Sequence, residues 1–77
     1  MVISVRSYAF MRKYTTHLRN HGELCVPEQA TVDDVLQHLG VSSDAKKIIL
    51  VNGRPAQPDR VLRSGDLLVF YPVLEGG

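Results

Sequence analysis

Apolar and polar positions alternate at the start of the chain. From Val2 to Tyr8, Ile3 and Val5 fall on one side and Ser4 and Arg6 on the other, the period of a half-buried strand. Residues Ala9 to Gly22 have no such clean period. Phe10, Tyr14 and Leu18 recur at i, i+4 and i+8, which suits one helical stripe, while Thr15-Thr16 opposes a helix. This segment reads as a short helix or an irregular loop, closed by Gly22. Glu23 to Val26 follows as a short second strand with Leu24 and Val26 inward, stopped by Pro27. Thr31 opens the clearest helix. Thr31-Val32-Asp33-Asp34 resembles a capping box with Asp in the usual place of Glu or Gln, and both acids suit the positive end of the helix dipole. Val32, Val35, Leu36 and Leu39 then make a complete apolar stripe, and Gly40 closes the helix.

The second half reads as strands and turns. Ile48 to Val51 is an unbroken apolar run, expected as a central strand. Asn52-Gly53 is a tight-turn signal. Arg54 to Ala56 can be only a short return strand, because Pro55 removes a donor. Val61-Leu62 is an isolated apolar step, expected to plug the edge of the core. Arg63-Ser64-Gly65-Asp66 is a second turn. Leu67 to Tyr71 is the last strand, with Leu68 and Phe70 on one face and Leu67, Val69 and Tyr71 on the other, and Pro72 ends it. The order is strand, strand, helix, strand, short strand, strand. One main helix over one face of a mixed sheet of four to five strands makes an α+β roll. With the first and last strands side by side in the middle, this is the β-grasp arrangement. Residues 1–72 are expected to form the domain and 73–77 a flexible C-terminal tail.

Size limits what such a chain can do. Seventy-seven residues allow one core. Ordering them costs on the order of 1.5 kcal/mol each, so nearly every apolar side chain must be buried and little remains for a deep catalytic pocket. The lone Cys25 excludes an internal disulfide framework, which fits a reducing, cytoplasmic setting. The first apolar stretch reads as a strand rather than a signal segment, and the longest apolar runs are far too short to span a bilayer. Charge is lopsided. Residues 1–22 carry Arg6, Arg12, Lys13 and Arg19 and no acid, whereas all eight acids come later. The small overall excess argues against nucleic acid as a partner and for a solvated face or half of a contact with an acidic protein.

Several motifs, taken in order, resemble the MoaD/ThiS family of ubiquitin-like sulfur carriers. They are the helix Thr31-Val32-Asp33-Asp34-Val35-Leu36 with Leu39-Gly40, then Val51-Asn52-Gly53-Arg54, Leu62 with Ser64-Gly65-Asp66, Phe70-Tyr71-Pro72 and Gly76-Gly77. The resemblance implies that Gly77 is the reacting residue, its carboxylate adenylated by a partner and converted to a thiocarboxylate. Leu74, Glu75 and Gly76 would thread into the partner's site, and glycine suits this because it has no Cβ to clash. The implied partners are an adenylyltransferase of the ubiquitin-activating type, a sulfur donor of the desulfurase or rhodanese type, and an acceptor such as the large subunit of a synthase. ATP would be used by the partner, with no cofactor bound to this chain. Such a protein is a co-substrate or a non-catalytic small subunit, not an enzyme. Val73 and Glu75 stand where molybdopterin-type members tend to have a second proline and a small residue. Molybdopterin-type and thiamine-type cofactor synthesis and tRNA thiolation therefore all stay open. So do a modifier joined to lysines and a binding module without tail chemistry.

Docking of the partner is expected at Leu67, Val69, Tyr71, Pro72 and Arg54. An outward apolar strand face beside the tail would be a contact surface, unless residues 9–22 cover it. Arg54 and Arg63 could also be plain solvated turn residues. His17, His21 and Cys25 have the spacing of stacked helical ligands, but Gly22 interrupts the helix and no fourth zinc ligand is evident, so no metal site is expected. Cys25 has no activating neighbour in sequence, and His38 lies on the polar side of its helix.

Overall fold

The computed structural model describes residues 1–73. Five strands form one sheet: β1 (Val2–Ser7), β2 (Glu23–Cys25), β3 (Lys47–Val51), β4 (Arg54–Pro55) and β5 (Leu67–Pro72), with the helix α1 (Val32–His38) between β2 and β3. The spatial order is β2-β1-β5-β3-β4. β1 and β5 run parallel, with Val5 opposite Leu68 and Ser7 opposite Phe70, and the other pairs are antiparallel. The first and last strands thus lie side by side, as the β-grasp reading expects.

The apolar run of β3 is not central, contrary to the expectation. That place belongs to β5, and beyond β3 lies only the two-residue β4. The run is apolar because the strand serves two faces. Val51 is buried on the core face, whereas Ile48 is 38% exposed on the other.

Helix α1 begins as its sequence dictates. The Asp34 amide donates to Thr31 Oγ1 at 3.1 Å and the Thr31 amide to Asp34 Oδ2 at 2.9 Å, so both halves of the capping box form. The next two amides, Val32 and Asp33, donate to the carbonyls of Arg60 and Pro58, so the loop before β5 satisfies donors that a helix start leaves orphaned. At the far end the amides of Gly40 and Val41 donate to Gln37 and Leu36, with Gly40 at φ 87°, a Schellman closure that needs glycine. Val32, Val35 and Leu36 are buried against Ile3 and Val5 of β1 and Leu68 and Phe70 of β5. Leu62 is buried as the expected plug, while its neighbour Val61 is exposed.

Residues 9–22 resolve the open reading. Ala9–Tyr14 is a 3-10 helix, followed by turns. The stripe of Phe10, Tyr14 and Leu18 does not hold: Phe10 is 70% exposed and Met11 is the buried anchor. With three residues per turn, Met11 and Tyr14 share a face, and Tyr14 reaches Phe70 with ring centroids 6.4 Å apart. The segment therefore extends the core side of the sheet.

Candidate functional site

The tail residues assigned to the chemistry, Leu74, Glu75, Gly76 and Gly77, lie outside the described residues. What is described is the strand leading to them and the surface around it. Strand β5 is held on both sides. Leu67 to Phe70 pair with Ser4 to Ser7 of β1, and Leu68 to Pro72 pair with Val51 to Lys47 of β3. The Val73 amide still donates to the Lys46 carbonyl at 3.4 Å.

Strand parity sorts the expected docking residues. Leu67, Val69 and Tyr71 are half-buried on the face opposite Leu68 and Phe70. Register adds Ile48 beside Tyr71 and Leu50 beside Val69 on the same face. These two are the members that sequence reasoning missed, and their signal lay in the parity of β3. Both α1 and the 3-10 helix pack on the core face. Residues 9–22 therefore do not cover this one, and among the described residues no helix lies over it. The structure places two proposed docking residues elsewhere. Pro72 is buried and has the parity of Leu68 and Phe70. Arg54 is exposed and pairs with Val51, on the core-face side of the edge strand.

The start of β5 is pinned by a second group that sequence reading took only for turn residues. Asp66 is buried in the turn before the strand. Its Oδ1 accepts from the Asn52 amide at 2.9 Å and its Oδ2 from the Arg63 backbone N–H at 2.8 Å, while Asn52 Oδ1 accepts from the Leu67 N–H at 2.9 Å. One carboxylate thus ties the Asn52-Gly53 hairpin to the Arg63–Asp66 turn. Burial pushes the Asp66 carboxyl up, but the bonds from Asn52 and Arg63 and the charges of Arg60 and Arg63 outweigh it and hold the group below its ordinary value. Asn52 and Gly53 both have positive φ, at 53° and 83°, the conformation for which Asn-Gly is suited.

The histidines and Cys25 divide between depressions. His17, His38 and the exposed Cys25 line one, whereas His21 lines another beside Arg12 and Thr15. Among the described residues no three His, Cys, Asp or Glu side chains come together to hold a metal ion. No described helix is long and apolar enough to cross a membrane.

Comparison with known proteins agrees with this architecture. The sequence model of a family described as Mut7-C ubiquitin matches residues 1–76. Among solved structures, the chain is similar to SAMP1 from Haloferax volcanii, with TM-score 0.75 and 21% identity over 100% of both chains. It is also similar to a putative molybdopterin converting factor, subunit 1, from Pyrococcus furiosus, with TM-score 0.75 and 24% identity over 96% of this chain and 99% of that one. A second Haloferax structure, of H. volcanii small archaeal modifier protein 1, gives TM-score 0.73 and 20% identity over 95% of this chain and 98% of that one. At these identities the likeness shows a shared fold. No curated protein matches the chain.

Proposed function

The chain belongs to the Mut7-C ubiquitin family, and from that premise we propose that it is a ubiquitin-like sulfur carrier acting through Gly77. The observation that carries the proposal is the central strand β5. It is paired with β1 as far as Phe70 and with β3 as far as Pro72, and is followed, after three residues, by Gly76-Gly77. A rigid strand that delivers a thin glycine tail suits insertion into another protein's site.

A carboxylate is a poor electrophile and must be activated. In the proposed reaction a Gly77 carboxylate oxygen bonds to the α-phosphorus of ATP in a partner adenylyltransferase, and pyrophosphate leaves. The outer sulfur of a persulfide on a desulfurase or rhodanese-type donor then attacks the acyl carbon, and AMP leaves with the former carboxylate oxygen. A thiol of the partner attacks the donor's sulfur in the resulting acyl persulfide, so that a disulfide forms and the thiocarboxylate leaves. The thiocarboxylate passes its sulfur to an acceptor in molybdopterin-type or thiamine-type cofactor synthesis or in tRNA thiolation. On this reading the protein is a co-substrate, and its own side chains dock and orient rather than catalyse. The open face of Leu67, Val69, Tyr71, Ile48 and Leu50 is the proposed contact for the partner.

The test is intact mass after incubation with an adenylyltransferase of the same organism, ATP and a sulfur donor. The expected product shows one oxygen replaced by sulfur, and deletion of Gly77 abolishes it while leaving the thermal midpoint unchanged. Loading that persists without Gly77 would refute the assignment. A second reading, a modifier joined to target lysines, draws support from the likeness to a protein named as a small archaeal modifier. Gly-Gly remnants on lysines of cellular proteins would establish it.

A further inference from the structure

The basic N-terminal segment and the tail-bearing strand meet at one end of the sheet. Because β1 runs parallel to β5, with Ser7 opposite Phe70, the chain leaves β1 where β5 ends. Tyr8 and Ala9 line a shared depression with Tyr71 and Pro72. The residues beyond Tyr8 then fold into two adjoining concavities. One is lined by Arg6, Ser7, Tyr8, Thr15 and His21 among others, and the second adds Arg12, Thr16 and Asn20 while keeping Ser7, Thr15 and His21. Among the described residues no carboxylate lines either one. The first 22 residues carry four cations and no acid, which leaves residues 23–77 with five cations against eight acids. The segment is held in shape from within. Ser7 Oγ donates to the Met11 carbonyl at 2.8 Å and shares a hydrogen bond with Thr15 Oγ1 at 2.7 Å. Glu23, a carboxylate tied to the rim, is engaged by the Asn20 amide at 3.1 Å.

Arg6 also joins this basic surface to the open apolar face. It is exposed on β1 as the register partner of Val69, so its side chain shares the face of Leu67, Val69 and Tyr71. The two surfaces are thus continuous around the end of β5.

We infer that the two adjoining concavities, one bearing Arg6 and the other Arg12, together form an acidic-partner dock, receiving carboxylate side chains of the enzyme into which the tail inserts and so aligning β5 with that enzyme's entrance. The inference rests on the carrier reading for the partner's identity, and it adds the partner's chemistry at this surface: an acidic loop or helix edge. Guanidinium forks match carboxylates in a bidentate way, and the hydroxyls and amides of the rim supply further donors. A one-sign concavity beside a small apolar contact also steers encounter, because its field acts before contact while the apolar face acts only on contact.

The experiment measures adenylation by pyrophosphate release, using the full chain and an adenylyltransferase of the same organism that loads it. It compares the wild type with Arg6→Gln, Arg12→Gln, the double variant and the control Arg63→Gln. The expected result is a KM raised about tenfold in the double variant with kcat unchanged, and a shallower fall of kcat/KM with added salt than in the wild type. Arg6 and Arg12 are exposed, so thermal midpoints should agree, which separates docking from misfolding. A wild-type chain that is loaded together with a double variant of unchanged KM and salt slope would overturn the dock alone. A wild-type chain that no such enzyme adenylates would overturn the carrier reading and the dock with it. A parallel titration with a labelled single-stranded RNA tests the other anionic partner. Binding at physiological salt that the same two substitutions abolish would reassign the surface to nucleic acid and overturn the proposal.

Discussion

Replacing Asp66 by Ala should be among the most damaging single changes outside the apolar core. The side chain is 8% exposed and accepts two hydrogen bonds, from Asn52 Nδ2 and from the Arg63 backbone N–H. Bonds to a charged acceptor contribute about 1.5–3 kcal/mol each, and their loss strands two donors near the start of β5. A cost of about 3 kcal/mol follows. A 77-residue domain has about 4–12 kcal/mol in all, so this is a large share. Urea denaturation at pH 7 reads the difference as a shift of midpoint at constant slope. The companion change is Asn52→Gly, which removes the same amide while glycine keeps the positive φ without strain. The double variant should cost clearly less than the sum of the singles, because both remove one shared bond. The pH dependence carries a definite sign. Asp66 has a folded value below its unfolded one, so its contribution is present above the unfolded value, near pH 3.9. It is lost as pH falls through the lower folded value. The gap between wild type and Asp66→Ala should therefore be full at pH 7 and narrow in strong acid. A cost under about 1 kcal/mol, or a gap that widens on acidification, would refute the reasoning.

Three further outcomes follow from the same geometry. Gly22→Ala should cost about 3 kcal/mol or more by thermal melting, since its Cβ would meet the Val5 carbonyl and φ is 124°; Gly65→Ala, at φ 87° in open space, should cost about 1 kcal/mol. Thr31→Ala should lose about 1 kcal/mol by removing the acceptor for the Asp34 amide, with Thr31→Ser restoring most of it in the same assay. Val69→Ser should lower stability only slightly, because the side chain is half-buried on the open face, yet raise the KM for adenylation about tenfold if that face is the dock. An unchanged KM would remove Val69 from the contact.

What could be read from sequence follows the strength of local rules. Helix α1 was legible because its cap, its stripe and its glycine closure are written within about ten residues and agree with one another. The Asn52-Gly53 turn was legible because few residue pairs accept two positive φ angles in succession. The 3-10 segment was legible only as a short helix or an irregular loop, because the i, i+4 recurrence of Phe10, Tyr14 and Leu18 does not fit a chain that turns every three residues and buries Met11 instead of Phe10. The place of β3 was misread because an apolar run records how many faces avoid polar groups, and not whether anything covers the second face. Asp66 looked like an ordinary turn acid, and its tie to Asn52 spans fourteen residues, beyond any local pattern. For the site, the strand face was legible from parity alone. The nearness of the basic segment to the end of β5 needed the parallel pairing of the two terminal strands.

That parallel pairing also decides how the domain bears load. A partner that draws the tail inward pulls on β5 along its own axis. The ladders to β1 and β3 lie across that pull, so their hydrogen bonds are stressed in shear and share the force, rather than opening one after another as at a sheet edge. Extracting the strand would mean breaking both ladders together and dragging Leu68 and Phe70 out of the core. Placing the tail on the middle strand makes the protein a handle that can be tugged from that end without coming apart.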